Sequence, residues 1–248
     1  MTFFFEDLKF FPFAHRGGSD YAPENSFEAF NAAVGLGYKL LETDLRTTKD
    51  GYILAFHDPS LDRVTDASGL ISEKNYSDIK KIKIFGKYKI PLFSDLLEAF
   101  PECFFSVDIK SDSTVMPVVD LVKKTNCLNR VCMGSFSQKR INIIKNNLTD
   151  ICLTSMGPLD IISAKFNSYF NYRIKIDSIF ASLPVKKYNL NLLNKRNINY
   201  LKSNNIKVIA WTINQEKEIR RLIDLGVDGI MTDEIVLLKS ILKEKNLW

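Results

Sequence analysis

The chain of 248 residues contains two histidines, His15 and His57. Each ends an apolar, strand-like run and has a charged residue next to it, in His15-Arg16-Gly17-Gly18 and His57-Asp58-Pro59. One strand-end histidine is commonly structural. Finding both histidines of the chain in that setting is harder to ascribe to packing. Unperturbed imidazole titrates at about pH 6.5, so two such groups can divide acid and base work near neutrality. Between them lies Glu42-Thr43-Asp44. Alternate positions on a strand point to one side, and two carboxylates on one side of a mainly buried strand repel each other and are costly to desolvate. A cation would remove that cost, and oxygen donors suit Mg²⁺ or Ca²⁺ better than softer metals. A solvent-facing pair, or one bridged to Arg46, is the plainer alternative.

A second polar pair, Asp108-Ile109-Lys110, ends the run Phe104-Phe105-Ser106-Val107. Asp108 could complete the metal site with Glu42 and Asp44, and Lys110 on the same side could meet a phosphate oxygen. The two could equally neutralise each other. Farther on, Trp211 ends the run before Thr212-Ile213-Asn214, either walling a pocket beside an alcohol or lipid group or packing in the core.

The elements that must position these groups alternate in type. Candidate strands are Phe11–His15, Lys39–Leu45, Tyr52–His57, Phe104–Ile109, Arg130–Ser135, Ile151–Ser155, Lys207–Thr212 and Asp228–Met231, with Ser178–Ser182 a further short one. Several are almost wholly apolar, as strands covered on both faces are. Helical patterns fall between them. Asn25-Ser26-Phe27-Glu28 reads as an N-cap with Glu three residues on, and Gly37 as the stop of that helix. Ser113–Lys124, Gln138–Asn147, Leu190–Ser203 and Glu216–Leu225 follow the same pattern. Roughly eight strands alternating with helices predict an α/β fold of the TIM-type (β/α)8 class, one barrel domain over residues 1–248. No G-x-G-x-x-G follows the first strand, which weakens an open doubly wound sheet. The polar clusters all fall at strand C-terminal ends, the end that carries barrel active sites.

Two stretches break the alternation. Thr48-Lys49-Asp50-Gly51 is a turn with no helix beside it. If its flanking strands form a hairpin, Glu42 lies roughly opposite His57; if they are parallel staves, both still sit at strand ends. Pro59 to Pro91 is an insertion after the third strand, with a helical patch over Tyr76–Ile84, expected to lie over the barrel mouth.

Composition is that of a soluble globular chain, 46% apolar and 25% charged. No apolar run approaches the length of a membrane span, and no leader or cleavage site is read at the start, so a cytoplasmic location is expected. The Phe-rich start, Phe3 to Phe11, is expected to pack on the barrel floor. Cys103, Cys127, Cys132 and Cys152 form no C-x-x-C pair and read as reduced core thiols. Net charge is +5, with −4 over residues 1–124 and +9 over 125–248. A positive field suits an anionic substrate or a membrane surface. No zinc finger or basic reading helix points to nucleic acid.

These residues, in this order, resemble the glycerophosphodiester phosphodiesterase family. The resemblance rests on His15-Arg16-Gly17, Pro23-Glu24-Asn25-Ser26, Glu42-x-Asp44, Lys49-Asp50-Gly51 and His57-Asp58. It continues through Asp108-x-Lys110, Trp211-Thr212-Ile213-Asn214 and Gly226-Val227-Asp228-Gly229. It implies a TIM barrel that hydrolyses small-molecule glycerophosphodiesters to glycerol 3-phosphate and an alcohol. Metal binding is implied for Glu42 and Asp44, acid/base roles for His15 and His57, and phosphate contacts for Arg16 and Lys110. The chain departs from the family at Asp108, where Glu is usual. One methylene less points to ligation through water or a shifted ion.

We assign His57 the acid role, with water or the substrate's own glycerol hydroxyl as attacker. A second reading keeps the machinery and makes the enzyme a lysophospholipase D, with peripheral membrane contact through residues 76–90. There Lys80, Lys81, Lys83, Lys87 and Lys89 interleave with Ile82, Ile84, Phe85 and Tyr88. A non-catalytic phosphodiester-binding barrel would need a missing catalytic group. Two histidines are too few nitrogen ligands for the common zinc hydrolase sites. Oligomeric state, head group and choice of ion are left open by the sequence.

Overall fold

The computed structural model describes residues 8–148, 153–170, 172, 176–187 and 190–248. The strands are β1 (Phe11–Ala14), β2 (Leu40–Thr47), β3 (Ile53–Ala55), β4 (Lys83–Ile84), β5 (Tyr88–Lys89), β6 (Phe104–Ile109), β7 (Val131–Gly134), β8 (Phe180–Leu183), β9 (Lys186–Lys187), β10 (Leu190–Asn191), β11 (Lys207–Ala210) and β12 (Gly229–Thr232). The helices are α1 (Phe27–Gly35), α2 (Tyr76–Ile79), α3 (Phe93–Ala99), α4 (Asp112–Lys124), α5 (Gln138–Asn147), α6 (Pro158–Phe170), α7 (Lys195–Ser203), α8 (Glu216–Leu225) and α9 (Ile235–Glu244).

One parallel sheet runs β7-β6-β2-β1-β12-β11-β8. Residues 153–156 span the remaining gap. Met133 N donates to Leu153 O at 2.9 Å, and Met156 N donates to Phe180 O at 2.8 Å. Parallel bridges Met133↔Thr154 and Ser155↔Phe180 complete the ring. The result is the TIM-type barrel expected from the alternation, with the helices outside it. Ile151 and Cys152, along with Phe3 to Phe5, lie outside the described residues. Phe10 and Phe11 are buried, as are Cys132 and the free thiols of Cys103 and Cys127.

The Thr48–Gly51 ambiguity resolves as a hairpin. β3 pairs antiparallel with β2, Leu45 opposite Ala55, and is not a barrel stave. The pairing runs on to Phe56 N, which donates to Asp44 O at 2.9 Å. The expected facing of Glu42 and His57 is therefore off by one position, because the register is set by the Thr48–Tyr52 turn and puts Asp44 beside Phe56. The helix cap also moves. Ser26 Oγ accepts from Ala29 N, so Ser26 is the cap of α1 and Asn25 is left at φ 57° with its side chain free to enter the barrel.

The insertion forms a short helix and a small hairpin in place of the long helical patch expected. α2 ends at Ile79, and β4 and β5 pair around Phe85-Gly86, both at positive φ. Leu61, Val64, Ile71, Ile79, Ile84 and Ile90 bury themselves against Leu54 and Phe56 of the β3 arm. Helices α3, α6 and α9 add to the helical stretches expected, and α7 begins at Lys195, later than the expected Leu190. Among the described residues no helix is long and apolar enough to cross a membrane.

Inward-facing positions climb each stave two residues at a time. The lower layer is apolar: Phe11, Phe13, Leu40, Phe104, Cys132, Leu153, Phe180, Ile209 and Met231 form one buried cluster. Phe13 meets Phe104 and Phe180 edge to face, at ring distances of 6.5 and 5.8 Å, a favoured geometry for aromatic pairs. Two residues higher on the same staves stand Glu42, Ser106, Gly134, Ser155, Ser182 and Trp211, all lining one cavity. A dry aromatic plug thus supports a polar rim.

Candidate active site

The cavity at the C-terminal rim has a volume of about 560 Å³. His15, Arg16, Glu42, Asp44, His57, Asp108, Lys110 and Trp211 all line it. Each reaches the rim for a local reason. His15 is the first residue past β1, where the chain bends so sharply that Arg16 sits at φ 52°, Gly17 at 85° and Gly18 at 84°. A Cβ on Gly17 would crowd the backbone of Ala29 and Phe30 in α1, within 3.0 Å, so this turn needs glycine. Asp44 and Asp108 are register partners on β2 and β6, with Glu42 opposite Ser106.

The two imidazoles are held alike. His15 Nδ1 is 2.7 Å from Asp233 Oδ1, and His57 Nδ1 is 2.6 Å from Asp58 Oδ1. A carboxylate on Nδ1 fixes the tautomer and raises the basicity of the far nitrogen, which is left for the substrate. His15 Nε2 lies 3.8 Å from Glu42 Oε2. Burial lowers the pKa of His15, but Glu42's charge and the Asp233 hydrogen bond outweigh it, so the imidazole is raised above its ordinary value. Asp233 is in turn fixed by Asn214, whose Nδ2 donates to Oδ2 at 2.7 Å and whose Oδ1 accepts from Asp233 N. Asp58 accepts from Arg63 Nε at 2.5 Å, and Arg63 also binds Glu24.

The acids and bases interlock below them. Lys110 Nζ lies 2.8 Å from Asp44 Oδ1 and 2.6 Å from Asp108 Oδ2. Arg16 Nε lies 3.0 Å from Asp44 Oδ2, close enough for attraction but without hydrogen-bond alignment. Arg16 N donates to Glu42 Oε2 at 3.0 Å. Asn25 Nδ2 donates to Asp44 Oδ2 at 3.3 Å, while its Oδ1 accepts from Thr43. Burial raises the Asp44 carboxyl, yet Lys110 and Arg16 bring it below its ordinary value. Glu42 goes the other way: burial and the charge of Asp44 push it up to about 7. Asp108 is also raised, by burial, despite Lys110.

Among the described residues no three His, Cys, Asp or Glu side chains form a ready ligand set; the ammonium of Lys110 stands between two of the acids. The donor chemistry still fits a hard cation. Asp108 Oδ1 is buried with no hydrogen-bond partner. Glu42 is a buried carboxylate short of positive charge. All the donors are oxygens, which suits Mg²⁺ or Ca²⁺.

Residues 15–237 match the model of the glycerophosphoryl diester phosphodiesterase family. The chain belongs to this family. Its members generally depend on a divalent metal ion. A relative from Mycobacterium tuberculosis named "Probable glycerophosphodiester phosphodiesterase 2" is 31% identical over 95% of this chain and 91% of its own length. The human "Lysophospholipase D GDPD1" is 28% identical over 92% of this chain and 85% of that protein. The solved structure of an Oleispira antarctica phosphodiesterase in complex with the product sn-glycerol-3-phosphate matches with a TM-score of 0.76. It is 20% identical and covers 93% of this chain and 96% of that one. At that identity it supports the barrel fold.

The sequence reading of this family member did not single out the groups behind the histidines. Asp58 follows His57 directly, and Asp233 lies four residues past the Gly226–Gly229 motif. Glu24 and Asn25 lay in the Pro23–Ser26 motif. The order of motifs was the available signal. Asn214 lies in the Trp211–Asn214 motif, but Arg63 carries no signal, since its role depends on a contact across 39 positions.

Proposed function

We propose that this chain hydrolyses glycerophosphodiesters to glycerol 3-phosphate and an alcohol, with His15 and His57 moving the protons. The observation that carries the reading is the matched pair of carboxylate-held imidazoles on one cavity with Arg16 and Lys110. Two proton carriers beside two cations suit attack on a phosphodiester anion.

In this reading Arg16 and Lys110 hold nonbridging phosphoryl oxygens. Glu42, Asp44 and Asp108 would hold Mg²⁺ or Ca²⁺, which when bound would supply further positive charge beside the phosphoryl oxygens. His15, the more enclosed imidazole, takes the proton of the attacking oxygen through Nε2, and Asp233 stabilises the imidazolium. His57, the more open one at 34% side-chain exposure against 14%, protonates the departing alkoxide. Trp211 meets Phe136 edge to face at 5.5 Å, and with Met156 and Ile161 forms an apolar wall for the alcohol side. We place the protein in the cytoplasm, where reduced thiols such as those of Cys103 and Cys127 persist.

The test is turnover of glycerophosphocholine and glycerophosphoethanolamine by purified protein. EDTA should abolish it and Mg²⁺ or Ca²⁺ restore it. Full activity in metal-free protein removes the cation from the reading, and no turnover of any glycerophosphodiester removes the reading itself. Membrane contact through residues 76–90 is supported only by exposed Phe85 and its flanking lysines. Ile79 and Ile84 point into the insertion's own core.

A further inference from the structure

Helix α6 is amphipathic the wrong way round for a barrel helix. It buries Ala164, Lys165 and Ser168. Its large apolar residues Leu159, Ile162, Phe166, Tyr169 and Phe170 face outward, each between 55% and 64% exposed. Their spacing puts them on one face. Phe166 and Phe170 touch at 5.1 Å, and Tyr172, itself exposed, stands 6.4 Å from Phe170. A contiguous exposed apolar patch of this kind marks an interaction site. Two further observations say with what.

The first is continuity. Pro158, Ile161 and Ile162 of the same helix line the catalytic cavity, so the patch is the outward extension of the cavity's apolar wall. The second is charge. The packed helices α6 and α7 carry four Lys or Arg, at positions 165, 195, 196 and 202, and one acid, Asp160. Of these, Lys165 Nζ and Arg196 Cζ lie 5.3 and 4.9 Å from the ring of Tyr169. A symmetric contact with a second copy would set this positive surface against itself. An anionic bilayer complements both its charge and its apolar side chains.

We propose that the exposed face of α6 docks on anionic lipid membranes and brings the mouth of the cavity to the bilayer surface. The use of that mouth for lipid-borne phosphodiesters rests on the catalytic reading above; the docking face does not.

The test is co-sedimentation of the whole protein with vesicles of phosphatidylcholine containing phosphatidylglycerol, at low and high salt. Wild type should bind these vesicles, and bind pure phosphatidylcholine or high-salt samples more weakly. Phe166→Ser/Phe170→Ser, on exposed positions away from the cavity, should lower the partition coefficient at least about tenfold. Turnover of soluble glycerophosphocholine should be unchanged. Wild type that ignores anionic vesicles, or a double variant that binds as well, overturns the proposal. So does a wild-type dimer that the double variant converts to monomer without any vesicle binding. Vesicle binding lost in the variant, with no glycerophosphodiester turned over by either protein, leaves the docking face standing and removes only the catalytic reading.

Discussion

At the scale of the residue, the site is a balance of buried charges, and its variants should separate chemistry from stability. His15→Ala and His57→Ala should each lower kcat on glycerophosphocholine by about 10²–10⁴-fold, the range of a lost acid or base. Melting temperature should hardly change, since neither imidazole is part of the apolar core. Near-normal turnover in either would remove that histidine's role. Glu42 makes the opposite kind of prediction. Its folded pKa of about 7 exceeds its ordinary 4.5, so in cation-free protein its ionisation opposes folding. The native state is unpenalised below about pH 4.5 and loses stability as pH rises through about 7. Glu42→Gln in EDTA should therefore melt higher than wild type at pH 8, by about 1–2 kcal/mol. The gap should narrow toward pH 4.5. Calorimetry across that range checks the sign.

At the scale of the element, the barrel rim depends on close backbone approach and on the insertion. Gly229 on β12 sits so near the carbonyl of Phe11 on β1 that an added Cβ would clash. Gly229→Ala should cost about 1–3 kcal/mol by forcing the two strands apart. Because those strands end at His15 and Asp233, activity should fall with it. The insertion reaches the site through Arg63, which bridges Asp58 and Glu24. Arg63 is about half exposed, so its ion pairs add little to stability. It nonetheless fixes the carboxylate that orients His57. Arg63→Ala should leave the melting temperature nearly unchanged and lower kcat about tenfold, read by steady-state kinetics beside a thermal melt.

At the scale of the whole molecule, a cation that binds the native state alone must shift unfolding by mass action. Mg²⁺ or Ca²⁺ at about one hundred times its dissociation constant should stabilise wild type by about 2.7 kcal/mol. For a chain of this size that is a rise of about 5–10 °C. Asp108→Asn and Glu42→Gln should respond much less. An equal shift in those variants would place the ion elsewhere. The charge asymmetry also acts at this scale, since the positive half of the chain carries the apolar side of the cavity.

The fold class was legible in the sequence because parallel strands covered on both faces read as apolar runs and their helices read as periodic ones. The candidate site was legible because polar residues closed those runs: His15 after Phe11–Ala14, Asp44 after Leu40 and Leu41, Asp108 after Phe104–Val107. What remained hidden was every property set by contact between distant segments. Register decided that β3 forms a hairpin on β2 and lies outside the ring, with Phe56 beside Asp44, so that His57 falls one position away from facing Glu42. Closure brought Asp233 to His15 across 218 positions and Arg63 to Glu24 across 39. The outward face of α6 was equally invisible, since apolar residues at helical spacing look the same whether they meet a barrel or water. Local pattern fixes which face of an element is apolar; only the packed barrel decides what, if anything, covers it.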